Sequence, residues 1–167
     1  MRKTFFLVVF CIGILNIYGQ AYTIENNQIK TKNTVQFIAN DFKLTEASID
    51  ALNIIATVLK EKTYISTLRI EGHYGLNNNE KTNQDLSEKR ALEVCNQLIV
   101  LGVDCKRLLP VGFGSTKPIA TNTTDEGKKQ NERIVFVVAA IRNKAIGGMS
   151  LDGGGKTIAA YTETTCH

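Results

Sequence analysis

The stretch that most constrains this chain is residues 69–91, RIEGHYGLNNNEKTNQDLSEKRA. It follows a run in which Ile65, Thr67, Arg69 and Glu71 alternate with Leu68 and Ile70, the period-two pattern of a strand. Gly72-His73 closes that strand, a polar loop follows, and Ser87 reads as the opening of a helix with Arg90 in its first turn. A cation there runs against the helix dipole, which favours negative side chains at the N-terminus. A guanidinium beside free backbone N–H groups is also a ready carboxylate site.

The rest of the sequence supplies elements for this unit to pack against. Residues 34–38 suit a first strand. Thr45 can cap a helix that presents Ile49, Leu52, Ile55, Ala56 and Leu59 at three- and four-residue spacing. The helix from Ser87 puts Ala91, Val94, Leu98 and Leu101 on one face, and Gly102 ends it. Residues 107–113 read as a third strand and 125–130 as a short helix. Residues 133–141, apolar from Ile134 to Val138, read as a central last strand. Strands alternating with two main helices predict a mixed α/β sandwich of the α+β type, with helices packed on a mixed sheet. Residues 22–33 read as a polar N-terminal extension, and residues 143–167 as a glycine-rich tail with room for a short strand or helix near 157–161.

Arg2 and Lys3 precede an apolar run from Phe5 to Leu15, followed by Gly19-Gln20-Ala21. This is the pattern of a secretory signal over residues 1–21, and the run is short for a membrane span. Its removal lowers the formal charge of the 167-residue chain from +4 to +2, too near neutral to argue for nucleic acid. Export favours oxidised cysteines. Cys95, on the second helix, and Cys105, just past the Gly102 turn, are therefore expected to pair, the alternative being two small buried thiols; Cys166 is left over.

Further matches give the stretch a context. Gly72, His73, Asn83, Leu86, Ser87, Arg90 and Ala91 fit the pattern G-H-T-D, short loop, N-x-x-L-S-x-x-R-A, with Tyr74-Gly75 in place of T-D. Phe37, Asn40, Gly102-Val103, Gly112-Phe113-Gly114, Pro118-Ile119-Ala120 and Asn122 extend the match over residues 34–141 or so. The closing N-R-R-V is present as Asn131-Glu132-Arg133-Ile134. In these residues the chain resembles the OmpA-like peptidoglycan-binding domain family. The resemblance implies a β-α-β-α-β-β sandwich over 34–142, in the periplasm, associated with the outer membrane. It implies noncovalent binding of the diaminopimelate stem peptide of peptidoglycan, with envelope proteins as further partners. In the family the aspartate of G-H-T-D takes the ligand ammonium and the arginine takes a carboxylate.

Arg90 keeps the second role by position, while Gly75 removes the first. With no replacement, affinity is expected to fall roughly ten- to a hundredfold; Glu71 and Asp85 are the nearby carboxylates in sequence. Asn40 and Asn83 either contact the peptide or shape their loops. Tyr74 either stacks on a sugar at the pocket mouth or blocks it. Arg133 makes an ion pair or supports the ligand, and Arg90 could equally be a solvated residue or a partner for Glu71. The rival to wall binding is a structural or protein-interaction module that kept the fold without the ligand. His73, with no His or Cys cluster around it, reads as structural rather than metal-binding. Gly153-Gly154-Gly155-Lys156-Thr157 lacks the earlier glycine of a P-loop, Ser150 standing there. No nucleophile–base arrangement points to an enzyme, and no cofactor is implied.

Overall fold

The computed structural model describes residues 21–76, 78–146 and 154–158. The expected signal segment (save Ala21), Cys11 and Cys166 lie outside them, as do Ser150 and Gly153. The chain runs β1 (Tyr22–Glu25), β2 (Gln28–Thr31), α1 (Ser48–Glu61), β3 (Ile65–His73) and α2 (Glu80–Val100). It continues with a short 3-10 turn (Cys105–Arg107), β4 (Leu108–Gly112), α3 (Asp125–Asn131), β5 (Arg133–Ile141), β6 (Lys144–Ala145) and β7 (Lys156–Thr157). Among the described residues the strands form one mixed sheet in the order β1-β2-β5-β3-β4-β7, with β6 folding back on β5. β3 and β4 are parallel, as the crossover through α2 requires, and β3 and β5 are antiparallel along their length.

The helices cover one face. Leu52, Ile55 and Leu59 of α1 and Ala91, Val94 and Leu98 of α2 pack on Leu68, Ile70, Phe136 and Val138. These are the stripes read from the spacing. α1 begins at Ser48 rather than at a Thr45 cap: the Thr45 carbonyl accepts the Ser48 N–H (3.0 Å), and the Thr45 and Ser48 hydroxyls lie 3.2 Å apart.

Three elements differ in place or kind from the sequence reading. Residues 22–31 are a β-hairpin rather than a loose extension, turned at Asn26-Asn27 with both φ positive (50° and 62°). β2 of that hairpin takes the place beside β5, through Gln28↔Val137 and Ile29↔Phe136. Residues 34–38 consequently form no strand and keep a single bridge, Phe37↔Leu44. Finally, α2 starts at Glu80, two turns before Ser87, capped by Asn79, whose side chain accepts from the Thr82 N–H. Arg90 thus lies in the helix interior, away from the free N–H groups of the first turn; Glu80 is the first-turn charge, and its sign agrees with the dipole.

The expected Cys95–Cys105 disulfide does not form. Cys95 is buried in the core, and Cys105 is disulfide-bonded. A small buried cysteine packs as an apolar side chain, the alternative that the sequence left open.

α3 is held by Thr124, whose hydroxyl accepts the Gly127 N–H at 3.1 Å. Thr124→Ala should cost about 1 kcal/mol in urea denaturation, with the midpoint shifted and the slope unchanged.

Candidate functional site

Arg90 is the bulkiest fully buried side chain among the described residues, at 1% exposure. Its place on α2 aims it past the end of β3 toward the turn at 38–43. Nε donates to the Asp41 carbonyl at 2.8 Å, and Nη1 to Glu132 Oε1 at 2.5 Å. The guanidinium lies between two rings, 4.6 Å from the centroid of Phe37 and 4.7 Å from that of Tyr74. Both distances suit cation–π attraction, which is stronger when desolvated. Nη2 is buried and has no hydrogen-bond partner among the described residues. An arginine is therefore held in a cage with one donor face unspent. It is neither solvated nor paired with Glu71, its ion partner being Glu132.

Tyr74 is a wall of this cage. Its hydroxyl donates to Asn40 Oδ1 at 2.9 Å, and Asn40 adopts φ +56° to offer that oxygen. Burial raises the Tyr74 pKa and the Glu132 charge raises it further, while Arg90 pulls the other way. Exposed Ile38 and Phe42 flank Asn40 and Asp41 along the chain, giving the turn an apolar rim.

Gly75 lines a small cleft with His73, Ser115, Lys117, Asn122 and Asn131. A Cβ placed on it would sit 3.2 Å from Ser115 Cβ and 3.8 Å from Asn122 Oδ1, so a short side chain fits with a slight adjustment. Asn131 braces the cleft: its Oδ1 accepts the Ile119 and Ala120 N–H groups, and its Nδ2 donates to Ala120 O and Asn122 Oδ1. The carboxylate at this end is one the sequence reading passed over. Glu80 accepts from the Ser115 hydroxyl and N–H, and from Asn83 Nδ2 at 3.5 Å. Burial raises the Glu80 pKa, but the two Ser115 hydrogen bonds and Asn83 outweigh it, for a net lowering. Asn83 is buried in the first turn of α2 and braces Glu80. Asp85 is exposed on the helix surface.

Arg133 and Glu71 belong elsewhere. Arg69, Glu71 and His73 alternate on β3 and share the face turned away from the helices, with Arg133 opposite His73 on β5. All three are buried. Glu71 bonds Arg69 and faces His73 Nε2 at 3.4 Å, and the His73 ring stacks on Phe113 with centroids 5.2 Å apart. Arg133 donates to Lys117 O at 3.0 Å. Glu71 is thus engaged on this face, away from the Arg90 cage, and does not replace a carboxylate at Gly75.

Of the residues the sequence singled out, the structure brings Arg90, Tyr74 and Asn40 together, with Gly75 next along the chain. It sets Asn83 and Arg133 in supporting networks. Sequence reading missed Phe37 and the Asp41 carbonyl as cage walls, and Glu132 as the partner of Arg90. Among the described residues, no group of three or more His, Cys, Asp or Glu is placed to hold a metal ion, and no helix is long and apolar enough to cross a membrane.

This arrangement sits on a chain with clear relatives. It is 34% identical over 119 residues to the probable lipoprotein YiaD of Escherichia coli, covering 70% of this chain and 53% of that protein. It is 31% identical over 129 residues to the outer-membrane lipoprotein YfiB of Pseudomonas aeruginosa, covering 77% and 76%. The chain thus spans about half the length of the first relative and three quarters of the second. Its fold is similar to that of the peptidoglycan-associated lipoprotein of Burkholderia pseudomallei, at TM-score 0.58 and 26% identity over 64% of this chain and 89% of that one. The OmpA family model matches residues 36–132, more than half of the sequence, and the chain belongs to the OmpA family.

Proposed function

We propose that this protein is an exported module of the cell envelope that binds peptidoglycan noncovalently, through a free carboxylate of the stem peptide. On this reading residues 1–21 are removed on export, and residues 34–142 carry the wall contact in the periplasm, at the outer membrane. The observation that carries it is Arg90: a guanidinium buried between Phe37 and Tyr74 with Nη2 unspent, at the motif position that takes the ligand carboxylate in similar domains. A folded protein rarely leaves a charged donor buried and unmet unless something is meant to meet it. The names of similar proteins, a peptidoglycan-associated lipoprotein among them, agree with this reading. The role is binding rather than catalysis.

Two observations favour a weaker grip or a purely structural role. Gly75 offers no carboxylate to a ligand ammonium, and Glu132 already occupies part of Arg90. On that second reading the domain is a protein-interaction module of an envelope complex.

Co-sedimentation with purified diaminopimelate-type sacculi separates them. Wild-type protein should pellet with sacculi at micromolar concentration and Arg90→Ala should not. A wild type that stays in the supernatant would discard wall binding and leave the structural module. Gly75→Asp, whose Cβ needs only a slight shift of Ser115, should strengthen pelleting by roughly tenfold or more, since one charge-assisted hydrogen bond is worth about 1.5–3 kcal/mol.

A further inference from the structure

A groove of about 570 Å³ runs beside the cage and does not include Arg90. Ile29, Val35, Ile134 and Phe136 are among its apolar lining, and Phe37 and Glu132 also line it. These last two are the side chains that contact the Arg90 guanidinium, so they separate it from the groove.

The same groove exposes a sheet edge. β2 covers β5 only at Val137 and Phe136, with the Val138 N–H bonded to Asn27 O at 2.7 Å. In an antiparallel pair, alternate residues turn their N–H and C=O to the same edge. Phe136 and Val138 turn theirs toward β2, so Ile134 turns its own into the groove, where no strand covers it among the described residues. An extended peptide laid there would find a backbone donor and acceptor and an apolar floor, the usual terms of strand addition. Lys129 also lines the groove, as does Lys30, whose ammonium pairs with Glu25 at 3.0 Å, and the charge of Lys129 suits an acidic peptide.

We propose that this groove is the approach by which an extended peptide bearing a free carboxylate reaches Arg90, and that Glu132 is the internal carboxylate it must displace. This rests on the wall-binding reading and adds to it the route and the residue that sets affinity. Nη1 exchanges the Glu132 oxygen for a ligand oxygen, Nη2 gains the second, and the cage receives the two-toothed carboxylate contact that arginine geometry favours. Glu132, with its side chain 26% exposed, swings out to water. Binding is weak in the wild type because the site carries its own competitor.

The test is titration of purified protein with a soluble diaminopimelate-containing stem peptide, with thermal melts to establish that each variant folds. Glu132→Gln keeps the shape and removes the competing charge, so it should bind about tenfold more tightly than wild type. Should that variant not fold, Glu132→Asp retains the charge, loosens the contact, and should give a smaller gain. Thr34→Trp, at an exposed position lining the groove away from Arg90, should weaken binding severalfold. Equal affinities for wild type and the folded Glu132 variant overturn the competition and leave wall binding standing. Unchanged affinity in Thr34→Trp overturns the route. No binding by wild type or either folded Glu132 variant overturns the wall-binding reading and this inference with it.

Discussion

Gly72→Ala should destabilise this protein by about 3 kcal/mol or more, whereas Gly75→Ala, three residues on, should cost well under 1 kcal/mol. At Gly72 a new Cβ would overlap the carbonyl oxygen of Ser87 and lie 3.0 Å from its carbonyl carbon. Both are backbone atoms of α2, so no rotamer change relieves them and strand and helix must part. Parting them opens the layer in which Ala91 and Val94 pack on Leu68 and Ile70. The contact is guarded from the other side as well. A Cβ on Gly112 would come within 2.8 Å of Ser87 Oγ and of the Glu88 nitrogen. Ser87 itself accepts the Gly114 N–H at 2.9 Å and donates to Gln84 O at 2.8 Å. Gly72, Ser87, Gly112 and Gly114 thus form one seam between α2 and the parallel strands. At Gly75 the nearest atom is the Ser115 Cβ at 3.2 Å, which calls for a shift of only a few tenths of an ångström. Urea denaturation of the two variants beside wild type checks this. Equal losses would mean that the seam tolerates separation and that the two glycines are held for a common reason.

That seam also explains how much the sequence disclosed. The glycines and Ser87 are legible because close packing leaves few residue types at those positions, and they carry the resemblance. They report the fold, however, and say little about the ligand. β5 was read with its observed bounds because an unbroken apolar run from Ile134 to Val138 has few other homes than a central strand. The start of α2 was missed because its first two turns, EKTNQD, carry no apolar stripe; the available sign was Asn79, an N-cap residue followed by Glu80. The β1–β2 hairpin was missed although Asn26-Asn27 is a turn pair flanked by strand-like YTIE and QIKT. In the site, Arg90 was legible by position. Its surroundings were not: Phe37, the Asp41 carbonyl and Glu132 come to it from 53, 49 and 42 residues away. No spacing rule reports a contact that only the closed sheet creates.

Acid should destabilise the protein from about pH 6.5 downward, and two buried groups on the outer face of β3, His73 and then Glu71, should account for it. The ordinary pKa of histidine here is 6.5, and burial, the largest influence, pushes His73 below it. Glu71 draws it back up, while Arg133 and Lys117 push it down again. A histidine with a depressed native pKa binds fewer protons folded than unfolded. It takes nothing from stability above about pH 6.5 and withdraws stability as the pH falls from there toward its native value. Glu71 acts in the same direction over a lower window. Burial raises its pKa, but the approach of His73 and the Arg69 guanidinium outweigh that and hold it below the ordinary 4.5. Its contribution is complete above pH 4.5 and is lost as the pH falls through the native value. Each group can contribute a slope of at most about 1.4 kcal/mol per pH unit. Two substitutions divide the windows. His73→Gln should flatten the decline from pH 6.5 downward, and the only other histidine, His167, is the final residue. Glu71→Gln should cost about 3 kcal/mol at neutral pH, because it removes the buried carboxylate that pairs with Arg69 and faces His73. It should also remove the decline below pH 4.5. Urea denaturation at pH 4, 5, 6, 7 and 8 reads both effects. A slope between pH 6.5 and 5 that survives His73→Gln would assign acid sensitivity to another group and leave His73 a packing residue stacked on Phe113.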